Sequence, residues 1–176
     1  MRDDTGGAHG ILLLDKPSGP TSHDIVAALR RSLGLEKAGH AGTLDPLASG
    51  LLVIMVGRAT KLAPFLPADP KAYEGSMILG LATDTLDTEG EVIAEEGYEG
   101  GEEEVRAALS SLVGEGEQLP PMYSAVKYRG KALYRYARCG EEVPRRPRQV
   151  RVYRAALTAF RLAGARAEAD FALACS

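Results

Sequence analysis

One short apolar run constrains the fold more than any other feature of this chain. LLVIMV, residues 51–56, is the longest unbroken apolar stretch in the 176 residues. A bilayer-spanning helix takes roughly 20 apolar residues. Six describe a buried strand around which other elements must be arranged. The strand follows GHAGTLDPLASG, residues 39–50, in which three glycines accompany a single carboxylate, Asp45. Asp45 and Pro46 read as the cap and first position of a short helical turn within that loop.

Periodicity and punctuation supply the other elements. Residues 11–14, ILLL, form a short buried strand closed by DKPSGP, whose prolines and glycine force a turn. Thr21 or Ser22 then caps a helix with Ile25, Val26, Leu29 and Leu33 on one face and Gly34 at its left-handed end. RATKLAPFLP, residues 58–67, reads as a helix interrupted at Pro64. Strands are expected over residues 72–81 and 91–94, joined by the polar ATDTLDTEG. A helix is expected over 102–113, with Val105, Ala108, Leu109 and Leu112 at helical spacing. LPPMYSAVKYRGK, residues 119–131, reads as irregular because its prolines exclude helix, and residues 131–139 read as a helix ended by Gly140. Residues 150–162 and 166–175 form a hairpin around AGA, with Ala167, Ala169, Phe171, Leu173 and Cys175 on one face of its second strand. The sum is a mixed α+β class with a largely antiparallel sheet flanked by helices.

Charge is segregated along the chain. The net charge is only −3, yet ten acids and no Lys or Arg lie between Asp84 and Glu104, whereas ten cations and two acids lie between Lys127 and Arg154. The basic block is interleaved with Tyr128, Tyr134, Tyr136 and Tyr153. Cations neutralise phosphates and rings stack on bases, so the block suits RNA with exposed bases, and a solvated charged face is the plain alternative. The N-terminal MRDDTGGAHG is polar and lacks the apolar core of a secretory signal. Together with the short apolar runs this gives the expectation of a soluble, cytoplasmic protein. Cys139 and Cys175 lie in no CxxC pattern and read as reduced thiols.

Metal and hydrolase chemistry find little support. Residues 85–96 place Asp87, Glu89, Gly90 and Glu96 as a calcium loop would, but Thr85 opens the stretch without a carboxylate, so an acidic connection between strands is the better reading. His9, His23 and His40 do not pair at ligand spacing. There is no G-x-S-x-G elbow, and the consecutive Ser22, His23 and Asp24 diverge on a helix. Asp45 remains. Carboxylates as a class are ionised at neutral pH and need no general base to act as nucleophiles. Glycines at 39, 42 and 50 would let a ligand approach, with the following strand holding the loop. Local chemistry leaves cap and nucleophile both open.

Four ordered motifs carry a resemblance. GILLLDKPSGPTSHDIV, GHAGTLDPLASGLLVIMVGRATKL, KAYEGSMILGLATDTLDTEG and LPPMYSAVKYRGKALYRYAR together resemble the TruB family of tRNA pseudouridine synthases. They are more similar to its bacterial members than to the archaeal and eukaryotic relatives that work with guide RNAs. The resemblance implies a pseudouridine synthase-like catalytic domain over residues 10–176, with an RNA-gripping insertion at about 120–150. Such an enzyme isomerises uridine 55 of the tRNA T-loop by base flipping, with no cofactor and no metal. It implies that Asp45 is the nucleophile, that His40 contacts RNA near the extruded nucleotide, that Tyr73 stacks on the target base, and that Lys16 and Pro17 belong to the motif supporting the active-site loop. Lys16 is also grouped with Lys127, Arg129, Lys131, Arg146 and Arg148 as substrate-binding. The tRNA T-arm is the expected partner and a monomer the expected state. An extruded base needs a stacking surface and a replacement for its lost contacts, tasks that suit Tyr73 and His40.

The family pattern continues beyond Cys175 and Ser176 into a Gly-Thr-Tyr-Ile-Arg motif, whose arginine pairs with the aspartate and whose tyrosine lines the pocket, and then into a small RNA-binding domain. The expectation is a catalytic domain incomplete at its C-terminus, without the RNA-binding domain, and inactive or severely impaired on its own. The competing reading is a non-catalytic RNA-binding or tRNA-folding protein working through residues 127–154, with Asp45 a cap. A third is an acid-dependent hydrolase unrelated to RNA.

Overall fold

The computed structural model describes residues 7–66 and 69–176. Most of the polar N-terminal stretch, and Pro67 at the end of RATKLAPFLP, lie outside the described residues. Backbone contacts divide the chain into two compact units, residues 1–68 and 69–176.

In the first unit, strands β1 (Gly10–Lys16) and β2 (Ala38–Ala41) both pair antiparallel with β3 (Gly50–Val56), so LLVIMV is the central strand. Register places Leu12 opposite Ile54 and Leu14 opposite Leu52. Onto that face α1 (Ser22–Ser32) lays Val26, with Ile25 and Leu29 beside it. Leu52 and Ile54 are fully buried, each contributing about 2 kcal/mol of apolar burial. Of the two candidate caps, Thr21 is the one used. It accepts from the Asp24 N–H, and the Asp24 carboxylate returns a bond to the Thr21 N–H. The hydrogen bond from the Thr21 hydroxyl, followed by that from its backbone, holds the Asp24 carboxyl below its ordinary pKa. Leu33, expected on the buried face, is the exposed C-cap.

Three local expectations change in this unit. The loop before β3 contains β2, whose AGHA sequence is too small and too glycine-rich to show alternation; only its pairing, His40 opposite Ile54, makes it a strand. No helical turn starts at Pro46. The Ala48 N–H donates to the Asp45 carbonyl at 3.1 Å, closing a single β-turn with proline in its second position. Beyond β3, Gly57–Phe65 winds as 3₁₀ turns with Pro64 inside, in place of an α-helix.

The second unit runs β4 (Lys71–Leu79), β5 (Leu81–Thr83), β6 (Val92–Glu95), α2 (Glu102–Ser111), β7 (Gly114–Gln118), β8 (Lys127–Tyr128), β9 (Lys131–Ala132), α3 (Leu133–Ala137), β10 (Arg148–Ala163) and β11 (Arg166–Cys175). Four strands form a sheet in the order β4-β11-β10-β7, while β5 with β6 and β8 with β9 make two small ribbons. α2 packs Val105 and Leu109 against Leu157 and Ala169, with Phe160 and Phe171 alongside. The expected inward face of β11 is realised, with Ala167 and Ala169 fully buried and Phe171 on the cluster. Phe171 lies across from Gly75, where a Cβ would meet its ring at 3.1 Å, so the missing side chain makes the seat for the ring.

Elsewhere the sequence was less transparent. The strand expected over 72–81 breaks at Gly80, and the helices expected over 102–113 and 131–139 shorten to α2 and α3. β7, sequence GEGEQ, carries residues disfavoured in strands and exists as an edge on β10. The stretch read as irregular holds the β8–β9 hairpin, in which Arg129 (φ 49) and Gly130 (φ 81) supply the two positive φ values of a type I′ turn. In the acidic connection, Asp87 accepts from the Thr85 hydroxyl at 2.6 Å and the Glu89 N–H at 3.0 Å, and Asp84 from the Glu91 N–H at 2.9 Å. Every described strand pair is antiparallel, and the class is mixed α+β.

Candidate active site

Asp45 lies in the loop between β2 and β3, and residues 16–22 hold that loop from both sides. Lys16 ends β1 on the covered face and is fully buried. Its ammonium donates to the carbonyls of Pro17 at 2.9 Å, Pro20 at 2.8 Å and Pro46 at 3.3 Å, which uses all three of its protons. The Gly19 N–H donates to the same Pro46 carbonyl at 2.8 Å. On the other flank Ser22, 1% exposed, donates to the Leu44 carbonyl at 3.0 Å and accepts from the Leu44 N–H at 2.9 Å. The Leu44 side chain packs on the α1–β3 core.

Between these two anchored neighbours Asp45 is exposed, and its carboxylate makes no hydrogen bond or ion pair with any described residue. Its side chain is therefore not a helix cap, because no helix follows and no described N–H is bound to the carboxylate. Gly42 (φ 86) and Gly50 (φ 123) turn the chain into and out of the loop, conformations that other residues rarely adopt, and nothing lies within 4 Å of where their Cβ atoms would stand. His40, partly buried on β2, has Nδ1 against the Gly42 carbonyl at 2.5 Å. A carbonyl only accepts, so Nδ1 carries the proton, a tautomer that directs Nε2 away from this bond.

The second unit holds the other candidate residues. Tyr73 is on β4 opposite Leu173 and is 42% exposed. In the β8–β9 hairpin and α3, cations stack on rings. Arg129 stands 5.3 Å from the Tyr128 ring centre, and Lys131 Nζ stands 4.2 Å from that of Tyr136. The Tyr128 and Tyr136 rings meet edge to face at 6.1 Å, and the Tyr136 hydroxyl donates to the Tyr128 carbonyl at 3.2 Å. Arg135 and Arg138 both approach the Tyr134 ring, at 5.9 and 5.4 Å, and the hydrogen bond from Arg135 lowers the pKa of the Tyr134 hydroxyl. Lys127, Arg146 and Arg148 are exposed, with no carboxylate partner among the described residues. Arg145 instead turns inward, to Glu142 at 2.7 Å and the Pro120 carbonyl at 3.2 Å. Among the described residues no three His, Cys, Asp or Glu are grouped to hold a metal ion, and no helix is long and apolar enough to cross a membrane.

The model of the TruB family pseudouridylate synthase N-terminal domain matches residues 30–176. The chain belongs to the TruB family. Among curated relatives, the tRNA pseudouridine synthase B of Geobacillus kaustophilus (strain HTA426) is 54% identical over 146 residues, covering 82% of this chain and 51% of its own. That of Opitutus terrae (strain DSM 11246 / JCM 15787 / PB90-1) is 46% identical over 168 residues, 95% of this chain and 68% of its own. The chain thus spans about half the length of the Geobacillus relative. Among solved structures, a Cbf5-Nop10-Gar1 complex superposes with a TM-score of 0.60 at 30% identity, over 94% of this chain and 39% of that one. An H/ACA RNP bound to a substrate RNA containing 2′-deoxyuridine gives 0.61 at 25% identity, over 94% and 37%.

Within this TruB chain the first unit gathers Lys16 and Asp45 around one loop, with His40 on the strand leading into it, while Tyr73 and the other cations belong to the second unit. One residue is reassigned. Lys16 was grouped with the substrate-binding cations, but it is buried and its protons are all engaged by protein carbonyls, so it has none left for a phosphate. Its geometry is that of a loop support. Ser22 was missed as a member of the site. The signal available for it was the Thr21–Asp24 capping box, which already caps the helix and leaves the next hydroxyl for another task. Arg135 and Arg138 went unsingled within the basic block.

Proposed function

We propose that this chain carries the catalytic machinery that isomerises a uridine of the tRNA T-loop, uridine 55, to pseudouridine, with Asp45 as the nucleophile. The observation that carries the reading is the Asp45 carboxylate itself, exposed and without a hydrogen-bond partner among the described residues, on a loop whose neighbours on both sides are held by buried bonds. A nucleophile gains from a fixed backbone and an unquenched charge, whereas a capping carboxylate would be bonded to a backbone N–H. In the overall isomerisation the bond from ribose C1′ to N1 breaks and a bond from C1′ to C5 forms. C5 gives up its proton and N1 gains one, so electrons balance without an oxidant and no group is added. The Asp45 carboxylate would bond transiently to one of the two fragments while the C1′–N1 bond is broken and leave it again by the time the C1′–C5 product is complete, which regenerates the free carboxylate. Extruding the uridine costs a few kcal/mol, and the partly exposed Tyr73 ring offers a stacking face for it. His40 would contribute its Nε2 near the nucleotide. Lys127, Arg129, Lys131, Arg146 and Arg148 would neutralise T-arm phosphates, while Tyr128, Tyr134 and Tyr136 supply stacking faces.

The test is Asp45→Asn, assayed with a T-stem-loop RNA in this chain and in a form continued through a Gly-Thr-Tyr-Ile-Arg motif. The nucleophile reading expects turnover to fall by at least about a thousandfold, with thermal unfolding unchanged. Unchanged turnover ends the assignment. The non-catalytic reading, favoured by the stacked cations and tyrosines, expects RNA to bind both forms equally with neither isomerising it.

A further inference from the structure

Resting on the nucleophile reading of Asp45, we propose that Ser22 is a positioning residue, the latch that fixes the N-terminal side of the catalytic loop. Its hydroxyl is nearly inaccessible to water and makes two bonds to one peptide neighbour, donating to the Leu44 carbonyl at 3.0 Å and accepting from the Leu44 N–H at 2.9 Å. Both polar atoms of the residue preceding Asp45 are therefore satisfied by one side chain. A hydroxyl is suited to this because it donates and accepts at once, which neither an ammonium nor a carboxylate can do.

The helix does not need Ser22 for its own start. Thr21 supplies the cap, with Asp24 closing the box. A serine in the first turn of a helix that already has its cap is free to face the sheet, and there α1 itself is anchored by Val26 against Leu52 and Ile54. The latch is thus mounted on a packed element. Leu44 is held a second time by its side chain, which lies on that same core. From Leu44 the constraint passes to the Asp45 turn, closed by the Ala48 N–H on the Asp45 carbonyl at 3.1 Å. Lys16 and the Gly19 N–H fix only the far side, through Pro46. Ser22 and Lys16 therefore act on different peptide groups. With Ser22 gone, the N-terminal side of the turn keeps only the Leu44 side-chain packing, and the peptide groups before Asp45 can rotate about the Pro46 anchor. Near-attack geometry tolerates about 0.5 Å of displacement, so the loss is expected in turnover and not in RNA affinity.

The experiment compares Ser22→Ala with Val105→Ala, which weakens the α2–sheet core of the second unit and lies in neither α1 nor the Asp45 loop. Amide hydrogen exchange is followed on this chain by NMR, and single-turnover isomerisation of T-stem-loop RNA on the form continued through the Gly-Thr-Tyr-Ile-Arg motif. In Ser22→Ala the amides of Leu44 and Ala48 should exchange at least about tenfold faster than in the parent while amides of β3 keep their protection. Maximal turnover should drop about tenfold or more with half-saturating RNA within about twofold. Val105→Ala should lower the melting temperature with turnover within about twofold. The proposal is overturned if Leu44 alone accelerates and Ala48 does not, since the latch would then be local. It is equally overturned if both variants lose turnover in proportion to their melting temperatures. If the parent protein itself does not isomerise RNA, the nucleophile reading is what fails, and the Leu44 and Ala48 exchange rates decide the positioning role alone.

Discussion

The Asp45 loop and the β8–α3 segment solve opposite problems with polar side chains. Around Asp45 the polar groups are buried and saturated: Lys16 is fully enclosed with three carbonyls, and Ser22 closes two bonds on one residue. Only the carboxylate between them is left open. Around Tyr128, Tyr134 and Tyr136 the cations lie over rings at 4.2 to 5.9 Å, and apart from the bond from Arg135 to the Tyr134 hydroxyl their side-chain donors have no partner among the described residues. A desolvated, hydrogen-bonded donor has one geometry and fixes backbone to within a fraction of an ångström. A cation resting on an aromatic face is held loosely and can turn to follow a phosphate. The first arrangement suits bond-making and the second suits gripping.

Substitutions that blur this contrast should differ in size and in kind. The largest effect belongs to Asp45→Asn, which removes the nucleophile without moving its supports. Next comes Lys16→Met, which keeps the length of the side chain but strips donors from buried carbonyls. It should lower the unfolding free energy of the first unit by about 3 kcal/mol in urea titration, because unsatisfied buried groups cost about 1–3 kcal/mol each and some will find water. RNA affinity is the quantity to watch in the second region. Replacing Lys127 and Arg148 together with Ala should weaken T-stem-loop binding several-fold and reduce the slope of log K against log salt by about 1.5, as expected for two lost phosphate contacts. A fluorescence-anisotropy series at several salt concentrations measures both, and an unchanged slope would remove these two residues from the interface.

The smallest effect lies on the exposed face of the β4–β11–β10 sheet. Arg161 makes two bonds to Asp170, at 2.8 and 2.9 Å, and the Ser76 hydroxyl adds a third at 2.6 Å. Arg161 first and Ser76 second hold the Asp170 pKa at about 2. A carboxyl depressed on folding stabilises the native state fully above its unfolded pKa of about 3.9 and ceases to do so as pH falls through the folded value. Thermal melts of the wild-type chain and Arg161→Met should therefore differ slightly at pH 7 and converge toward pH 2. A difference that grows on acidification would contradict the pairing.

What could be read in the sequence, and what could not, follows from which interactions are local. LLVIMV could be recognised as a core strand because six apolar residues have few other destinations, and β11 because its alternating pattern begins with Ala167 and Ala169 buried about an exposed Glu168, although burial evens out from Asp170 onward. The α1 start could be read from Thr21, one of two candidate caps, which in the structure exchanges hydrogen bonds with Asp24. β2 and β7 were invisible, since Gly39 and the GEGEQ stretch have little strand preference and are ordered only by β3 and β10. Asp45 was picked out as the central candidate and Lys16 was placed in the loop-supporting motif, but Lys16 was also counted among the substrate-binding cations and Ser22 was read only as a possible cap. Lysine and serine are residue types expected at the surface, and Ser22 is bonded to a partner twenty-two positions away while Lys16 joins its near neighbours Pro17 and Pro20 to Pro46, thirty positions on. No window of local sequence contains those distant partners.

The three carbonyls that surround the Lys16 ammonium all belong to prolines. Proline contributes an acceptor to the backbone and no donor, so a segment that gathers Pro17, Pro20 and Pro46 runs a local deficit of N–H groups. That deficit sets the identity of the neighbouring side chain. Lysine is the residue with three donors and no acceptor, and here its charge matters less than its stoichiometry. The prolines stiffen the turns beside Asp45, and the lysine makes that stiffness compatible with burial. An arginine at position 16 would bring five donors in a plane to a site with three acceptors around a point. DKPSGP and LDP are therefore one unit of hydrogen-bond arithmetic, divided between two places in the chain.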